Sequence, residues 1–128
     1  MPSRLSLTSL LVADYDDAIG FYVEKLDFEL REDSDLGSGK RWVVVGPKGG
    51  GGGLLLARAV NDRQRGAIGD QCGGRVFLFL ETDDFAGDHA LFTARGVVFS
   101  ETPRDEPYGI VAVFEDPYGN RWDLLQRR

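Results

Sequence analysis

Two glycine-rich stretches, one histidine and one cysteine are the residues whose types first invite a chemical reading. Gly49 to Gly53, and Gly37-Ser38-Gly39-Lys40, have the backbone freedom to cradle a phosphate. Neither carries the spaced Gly-Lys-Ser/Thr that a phosphate loop places ahead of a helix, and both lie between segments of strand character. They read as a loose hairpin or a bulge, and nucleotide binding is not expected. Cys72 stands in a polar stretch with no His or second Cys nearby in sequence, so it reads as a bystander. His89 falls on a segment of helical character, where a surface or packing role is expected.

The elements that must position any site come in two copies. At an offset of 70 residues, Asp14-Tyr15 meets Asp84-Phe85, Phe21-Tyr22 meets Leu91-Phe92, and Lys25 meets Arg95. Gly46-Pro47-Lys48-Gly49 meets Asp116-Pro117-Tyr118-Gly119 at the same offset. In the first copy, Leu5 to Val12 reads as a strand, Asp14 as an N-cap, and Tyr15 to Leu26 as an amphipathic helix. Strands follow at Phe28 to Glu32, Arg41 to Val45 and Leu54 to Leu56, with a turn at Ser34 to Gly39. The polar, glycine-containing stretch from Ala57 to Gly74 reads as a linker. The second copy gives a strand from Arg75 to Glu81 and a helix capped by Asp83 or Asp84, running to about Arg95 and stopped by Gly96. Strands then come at Val97 to Phe99, Ile110 to Glu115 and Arg121 to Gln126. The unit is β-α-β-β-β, and the sheets are expected to carry helices on one face and a cavity on the other. Asp116-Pro117-Tyr118-Gly119-Asn120 alone is a hairpin turn.

The 128 residues fit one domain with a real core, with module one at about 4–58, a linker at about 59–74 and module two at about 75–127. A net charge of −6 and a pI near 4.7 argue against nucleic acid or an anionic membrane surface as a partner. No apolar run approaches a membrane span, and Met1 to Ser9 does not read as a signal peptide. A single cysteine excludes an internal disulfide and fits a reducing cytoplasm.

In repeat, element order and turn, the chain resembles the vicinal-oxygen-chelate superfamily, which includes glyoxalase I, extradiol dioxygenases, methylmalonyl-CoA epimerase and the fosfomycin- and bleomycin-resistance proteins. The matching stretches are Leu10 to Asp14, Ala18 to Tyr22 and Leu26-Asp27-Phe28 in the first copy. The second copy adds Phe79 to Asp84, Ala94 to Val97, Pro107-Tyr108-Gly109, and Asp116 to Asn120 through Asp123-Leu124. The resemblance implies an α+β fold of two pseudo-symmetric βαβββ modules forming an incomplete barrel around a cavity, in a homodimer. It also implies four metal-ligand positions, two per module: Leu7, Gly53 (or Leu54), Phe77 and Asp123. Divalent metals need imidazole, carboxylate or thiolate donors, and only Asp123 offers one.

The expectation is therefore a metal-free, cofactor-free protein that binds a small organic molecule, a drug or a metabolite. Strand alternation puts Leu7, Ser9 and Leu11 on one face, and Arg75, Phe77 and Phe79 on the matching face. Trp42 would line the cavity from the third strand, with Arg104, Tyr108 and Arg121 at its rim. Asp123 would accept a hydrogen bond from a ligand, or act as a base if apolar surroundings raise its pKa. Plainer roles compete: Phe77, Phe79 and Trp42 as ordinary core, and Asp123 as the partner of a nearby arginine. Two enzymatic alternatives stand beside this reading. One is a metal-dependent lyase, isomerase or dioxygenase in which His89, Glu81, Glu101 or Glu115 converge with Asp123. The other is metal-free catalysis with Asp123 as base.

Overall fold

The structure, a computed structural model, describes residues 2–128. It forms two compact units, one ending at Ile68 and one beginning at Gly69. Mixed α+β architecture with two open sheets runs through both.

The first unit opens with β1 (Leu7–Val12), and Asp14 then caps α1 (Tyr15–Ile19) by accepting a bond from the Asp17 amide at 2.9 Å. The regular helix expected as far as Leu26 instead widens after Ile19 into a π-helical segment, Gly20–Lys25, closed by the Leu26 amide on the Phe21 carbonyl at 3.1 Å. The wider turn lets the adjacent Phe21 and Tyr22 both bury, their rings edge to face with centroids 5.0 Å apart. β2 (Glu29–Gly37), β3 (Lys40–Gly46) and β4 (Gly53–Arg58) complete a sheet in the order β1-β4-β3-β2. β2 runs through the expected turn at Ser34, so the reversal falls at Ser38-Gly39, both at positive φ. Leu10, Val12, Val43, Val45, Leu54 and Leu56 bury one face of the sheet, as Tyr15, Ala18, Phe21, Tyr22 and Leu26 bury the helical segment.

The expected linker contains a short helix, α2 (Asp62–Ala67), capped by Asn61 and packed on β1. The polar face and single turn and a half of this helix leave almost no apolar period to read.

The second unit runs β5 (Val76–Glu81), α3 (Phe85–Ala94), β6 (Val98–Phe99), β7 (Arg104–Glu106), β8 (Gly109–Glu115) and β9 (Arg121–Arg127). Its path is β5-β9-β8-β6, with β7 also on β8. Asp84 caps α3 by accepting from the Gly87 amide at 3.0 Å, and Gly96 takes a φ of 89° behind it. Phe92, Phe99 and Trp122 surround the fully buried Phe114, whose ring stacks on Trp122 at 5.8 Å. Among the described residues no helix is long and apolar enough to cross a membrane.

The repeat does not keep one offset through the strands. Across the first sheet one row of paired residues reads Ser9, Leu55, Val44, Glu32. The corresponding row of the second reads Phe79, Asp123, Val113. Ser9 to Phe79 is 70 residues, Val44 to Val113 is 69, and Leu55 to Asp123 is 68. The glycine hairpin before β4 is one residue longer than the turn before β9, which accounts for the last step. The pseudo-equivalent of Asp123 is thus Leu55, two positions beyond the Gly53 given by the constant offset.

Candidate functional site

The chemistry-bearing side chains of the second sheet gather on the face opposite Trp122 and Leu124. Asp123 pairs with Phe79 on β5 and Val113 on β8, so these three side chains share that face. The Oδ1 of Asp123 is buried and has no hydrogen-bond partner among the described residues. Glu101 accepts a bond from the Val113 amide at 3.2 Å, and the same carboxylate holds Arg104 at 3.0 Å. Arg104 also reaches Glu106 at 3.0 Å. Arg121, two residues before Asp123 on the strand, donates from Nη1 to the Gly74 carbonyl at 3.2 Å.

Burial pushes the Asp123 carboxyl above the ordinary carboxylate range, Glu101 reinforces this, and Arg104 and Arg121 oppose it. A carboxyl that is raised in the folded state holds its proton better there than in the unfolded chain. Its contribution to stability is complete below about pH 4 and is lost as pH rises through the folded value. Asp123→Asn is therefore expected to match the wild type below about pH 4. At pH 7 it should be more stable by about 1 kcal/mol, the low end of the cost of an unpaired buried acceptor, since the residue keeps some exposure. Urea unfolding at the two pH values measures it, and equal differences at both would contradict the assignment.

The other predicted site residues divide between the units. Phe79 is 64% exposed, whereas Phe77 is half-buried at a bulge between Val76 and Leu78, out of register with β9. Tyr108 sits in the β7–β8 turn, 52% exposed. It stands five residues before Val113, which is level with Asp123, or about 16 Å at the rise of a strand, so the two are not brought together. In the first unit, Leu7, Ser9, Leu11, Leu55, Val44 and Trp42 share the sheet face turned away from Leu10 and Val12. The Trp42 indole N–H donates to Glu32 at 2.8 Å. The bond of Glu32 to Trp42, and those of Glu101 to Val113 and Arg104, are roles that the sequence does not signal. Each glutamate lies in a stretch where a solvated carboxylate is the ordinary expectation.

A surface depression on the β2–β3 hairpin, lined by Asp33, Asp35, Ser38 and Arg41, is a different matter. Its guanidinium is already held by Asp33 at 2.7 Å and Asp16 at 2.9 Å and lies over the Tyr15 ring. It anchors the hairpin to the helix.

The residues present do not fit a divalent metal. Whether the positions are read along the constant offset (Leu7, Gly53, Phe77, Asp123) or along the paired rows (Ser9, Leu55, Phe79, Asp123), one carboxylate is the sole strong donor. His89 stacks between Phe85 and Phe99, with centroids at 5.6 and 4.2 Å, as a packing residue of α3. Glu81 pairs with Arg127 at 2.9 Å. Among the described residues no three His, Cys, Asp or Glu side chains gather as a metal site would need.

Residues 4–124 match the family profile described as Glyoxalase/Bleomycin resistance protein/Dioxygenase superfamily. A protein of Shewanella frigidimarina (strain NCIMB 400), described as uncharacterized, is 56% identical over 120 residues, covering 92% of this chain and 89% of its own length. Among solved structures, TnmS3, an antibiotic binding protein from Streptomyces sp. CB03234, is 35% identical with a TM-score of 0.82, covering 99% of this chain and 98% of that one. UcmS2 is 31% identical with a TM-score of 0.83, covering 98% of each chain.

Proposed function

Because the chain belongs to the glyoxalase/bleomycin resistance protein/dioxygenase superfamily, we propose that it is a small-molecule-binding member of that group, one that holds an organic drug or metabolite without a metal ion. The observation that carries this reading is the fate of the ligand positions. They present apolar and aromatic side chains plus one carboxylate, and that carboxylate has a buried oxygen with no partner among the described residues. Such a lining suits an aromatic or aliphatic molecule anchored by few polar contacts. The likeness to an antibiotic binding protein at 35% identity supports it. A homodimer and a cytoplasmic location belong to the same proposal, the first from the family resemblance and the second from a lone cysteine without a disulfide partner.

The test is direct. Trp fluorescence and calorimetry with a panel of aromatic antibiotics are expected to show saturable, stoichiometric binding. Exposure to Ni²⁺, Zn²⁺, Mn²⁺ or Fe²⁺ followed by metal analysis is expected to leave less than stoichiometric metal. Tight stoichiometric metal, or a panel with no binder, overturns the reading.

The raised carboxyl of Asp123 favours one second reading, catalysis with that group as base. Any turnover found should then fall at least a hundredfold in Asp123→Asn, in the range positioned bases contribute. Unchanged turnover removes this role.

A further inference from the structure

Strand β9 carries two buried polar atoms that the described residues leave unsatisfied, Nε of Arg121 and Oδ1 of Asp123. They are two residues apart, and the pairing of β9 with β8 is unbroken from Arg121 to Arg127. Both side chains therefore leave the sheet on one face, with their backbones roughly 7 Å apart. One atom is a donor and the other an acceptor. They do not satisfy each other, and the bond from Arg121 Nη1 to the Gly74 carbonyl holds the guanidinium toward the start of β5. Beside Asp123 on the same face lies Phe79, an aromatic ring 64% exposed. Buried donors and acceptors are rarely left unpaired in a folded chain, and two of opposite polarity side by side call for a partner with both kinds of group. A simple anion would suit Arg121 and be repelled by Asp123, and a simple cation the reverse.

We infer that the molecule taken by this face is a flat aromatic compound bearing, along one edge, a hydrogen-bond donor for Asp123 and an acceptor for Arg121, with its ring laid against Phe79. This rests on the small-molecule reading above and narrows it to a class. A hydroxylated aromatic carbonyl compound has that edge. The raised carboxyl of Asp123 agrees with a site completed by a neutral guest, since among the described residues no donor reaches its buried oxygen.

The probes are 7-hydroxycoumarin, with a phenolic donor and a carbonyl acceptor on one edge, and 7-methoxycoumarin, the same frame without the donor. Binding is measured on the full chain at about pH 6, where the phenol stays protonated, alongside the antibiotic panel. Wild type is expected to bind the hydroxy compound at least tenfold more tightly than the methoxy compound. In Asp123→Leu that preference should vanish. In Arg121→Met, which keeps the aliphatic stem, both probes should weaken by a similar factor of about ten. Asp123→Asn, which retains an acceptor and adds no bulk, replaces Asp123→Leu if the latter unfolds, and should reduce the preference without abolishing it. Equal affinity for the two probes, or a preference that survives in Asp123→Leu, overturns the pairing and leaves the small-molecule reading intact. Failure of both coumarins while panel antibiotics bind also overturns the pairing alone. Failure of coumarins and panel together overturns both.

Discussion

Phe114→Ala is expected to lower the unfolding free energy by about 4 kcal/mol, while Phe79→Ala is expected to change it by less than about 0.5 kcal/mol. Both are phenylalanines on strands of the second sheet. Phe114 has no exposed surface, and its ring meets Phe92 at 6.1 Å, Phe99 at 5.6 Å and Trp122 at 5.8 Å. Truncation removes a large apolar contact and leaves a void that three rigid rings cannot close, so transfer and cavity costs add. A loss of that size is a large share of the roughly 5–15 kcal/mol by which a domain is stable. Phe79, on the opposite face and mostly exposed, has little to lose on folding. It should matter for binding, where truncation removes the ring on which an aromatic guest would rest. Urea denaturation of the two variants with equal slopes checks the first contrast, and titration with a panel antibiotic checks the second. A large stability loss in Phe79→Ala would mean that this ring is core.

That contrast also marks what sequence can carry. Asp14 is legible as a cap, and the second cap as Asp83 or Asp84, because a carboxylate ahead of an apolar helical period has one common structural use; the structure selects Asp84. The turn at Asp116 to Asn120 is legible for the same reason: Asp116 accepts from the Tyr118 and Asn120 amides at 3.0 and 2.9 Å, and Gly119 takes a φ of 95°. Phe79 and Phe114 are both aromatic residues in strand-like runs, and only pairing separates the wall from the core. Register is the quantity a sequence carries least well. One residue of difference before β3 and one more in the glycine hairpin before β4 move the counterpart of Asp123 from Gly53 to Leu55, and Phe79, not Phe77, pairs with Asp123. Strand β7 is not legible in the sequence because Arg104-Asp105-Glu106 has no apolar alternation, and the strand is held by pairing with β8 and by ion pairs. The polar environment of Asp123 depends on it, since Arg104 is one of the charges that act on that carboxyl.

Gly109→Ala is expected to cost about 3 kcal/mol and to disturb that environment from a distance. Gly109 opens β8, paired with Glu106 on β7 and Arg127 on β9, at a φ of 154° that side chains with a Cβ rarely adopt. A Cβ there would overlap the Gln126 carbonyl oxygen and come within 3.0 Å of the Arg127 Cα. Both obstacles are backbone, so no rotamer relieves them, and conformational strain adds to overpacking. The strands must part where the β7–β8 hairpin begins. Arg104 pairs with Val111 only two residues along β8, and Glu101, which holds Arg104, is itself tied to the Val113 amide of β8. The displacement should therefore loosen Arg104 and weaken its hold on the charge of Asp123. Gly119→Ala separates the two costs, because Gly119 has a positive φ of 95° and a methyl carbon added to it would meet nothing nearer than the Gly69 carbonyl oxygen, 4.0 Å away. That variant should lose only about 1–2 kcal/mol from backbone strain. Denaturation of both variants, with antibiotic binding measured at about 25 °C where each remains folded, distinguishes the outcomes. A Gly109→Ala protein no less stable than Gly119→Ala would show that β8 and β9 can separate freely. In that case the β7–β8 hairpin would not fix Arg104 near Asp123.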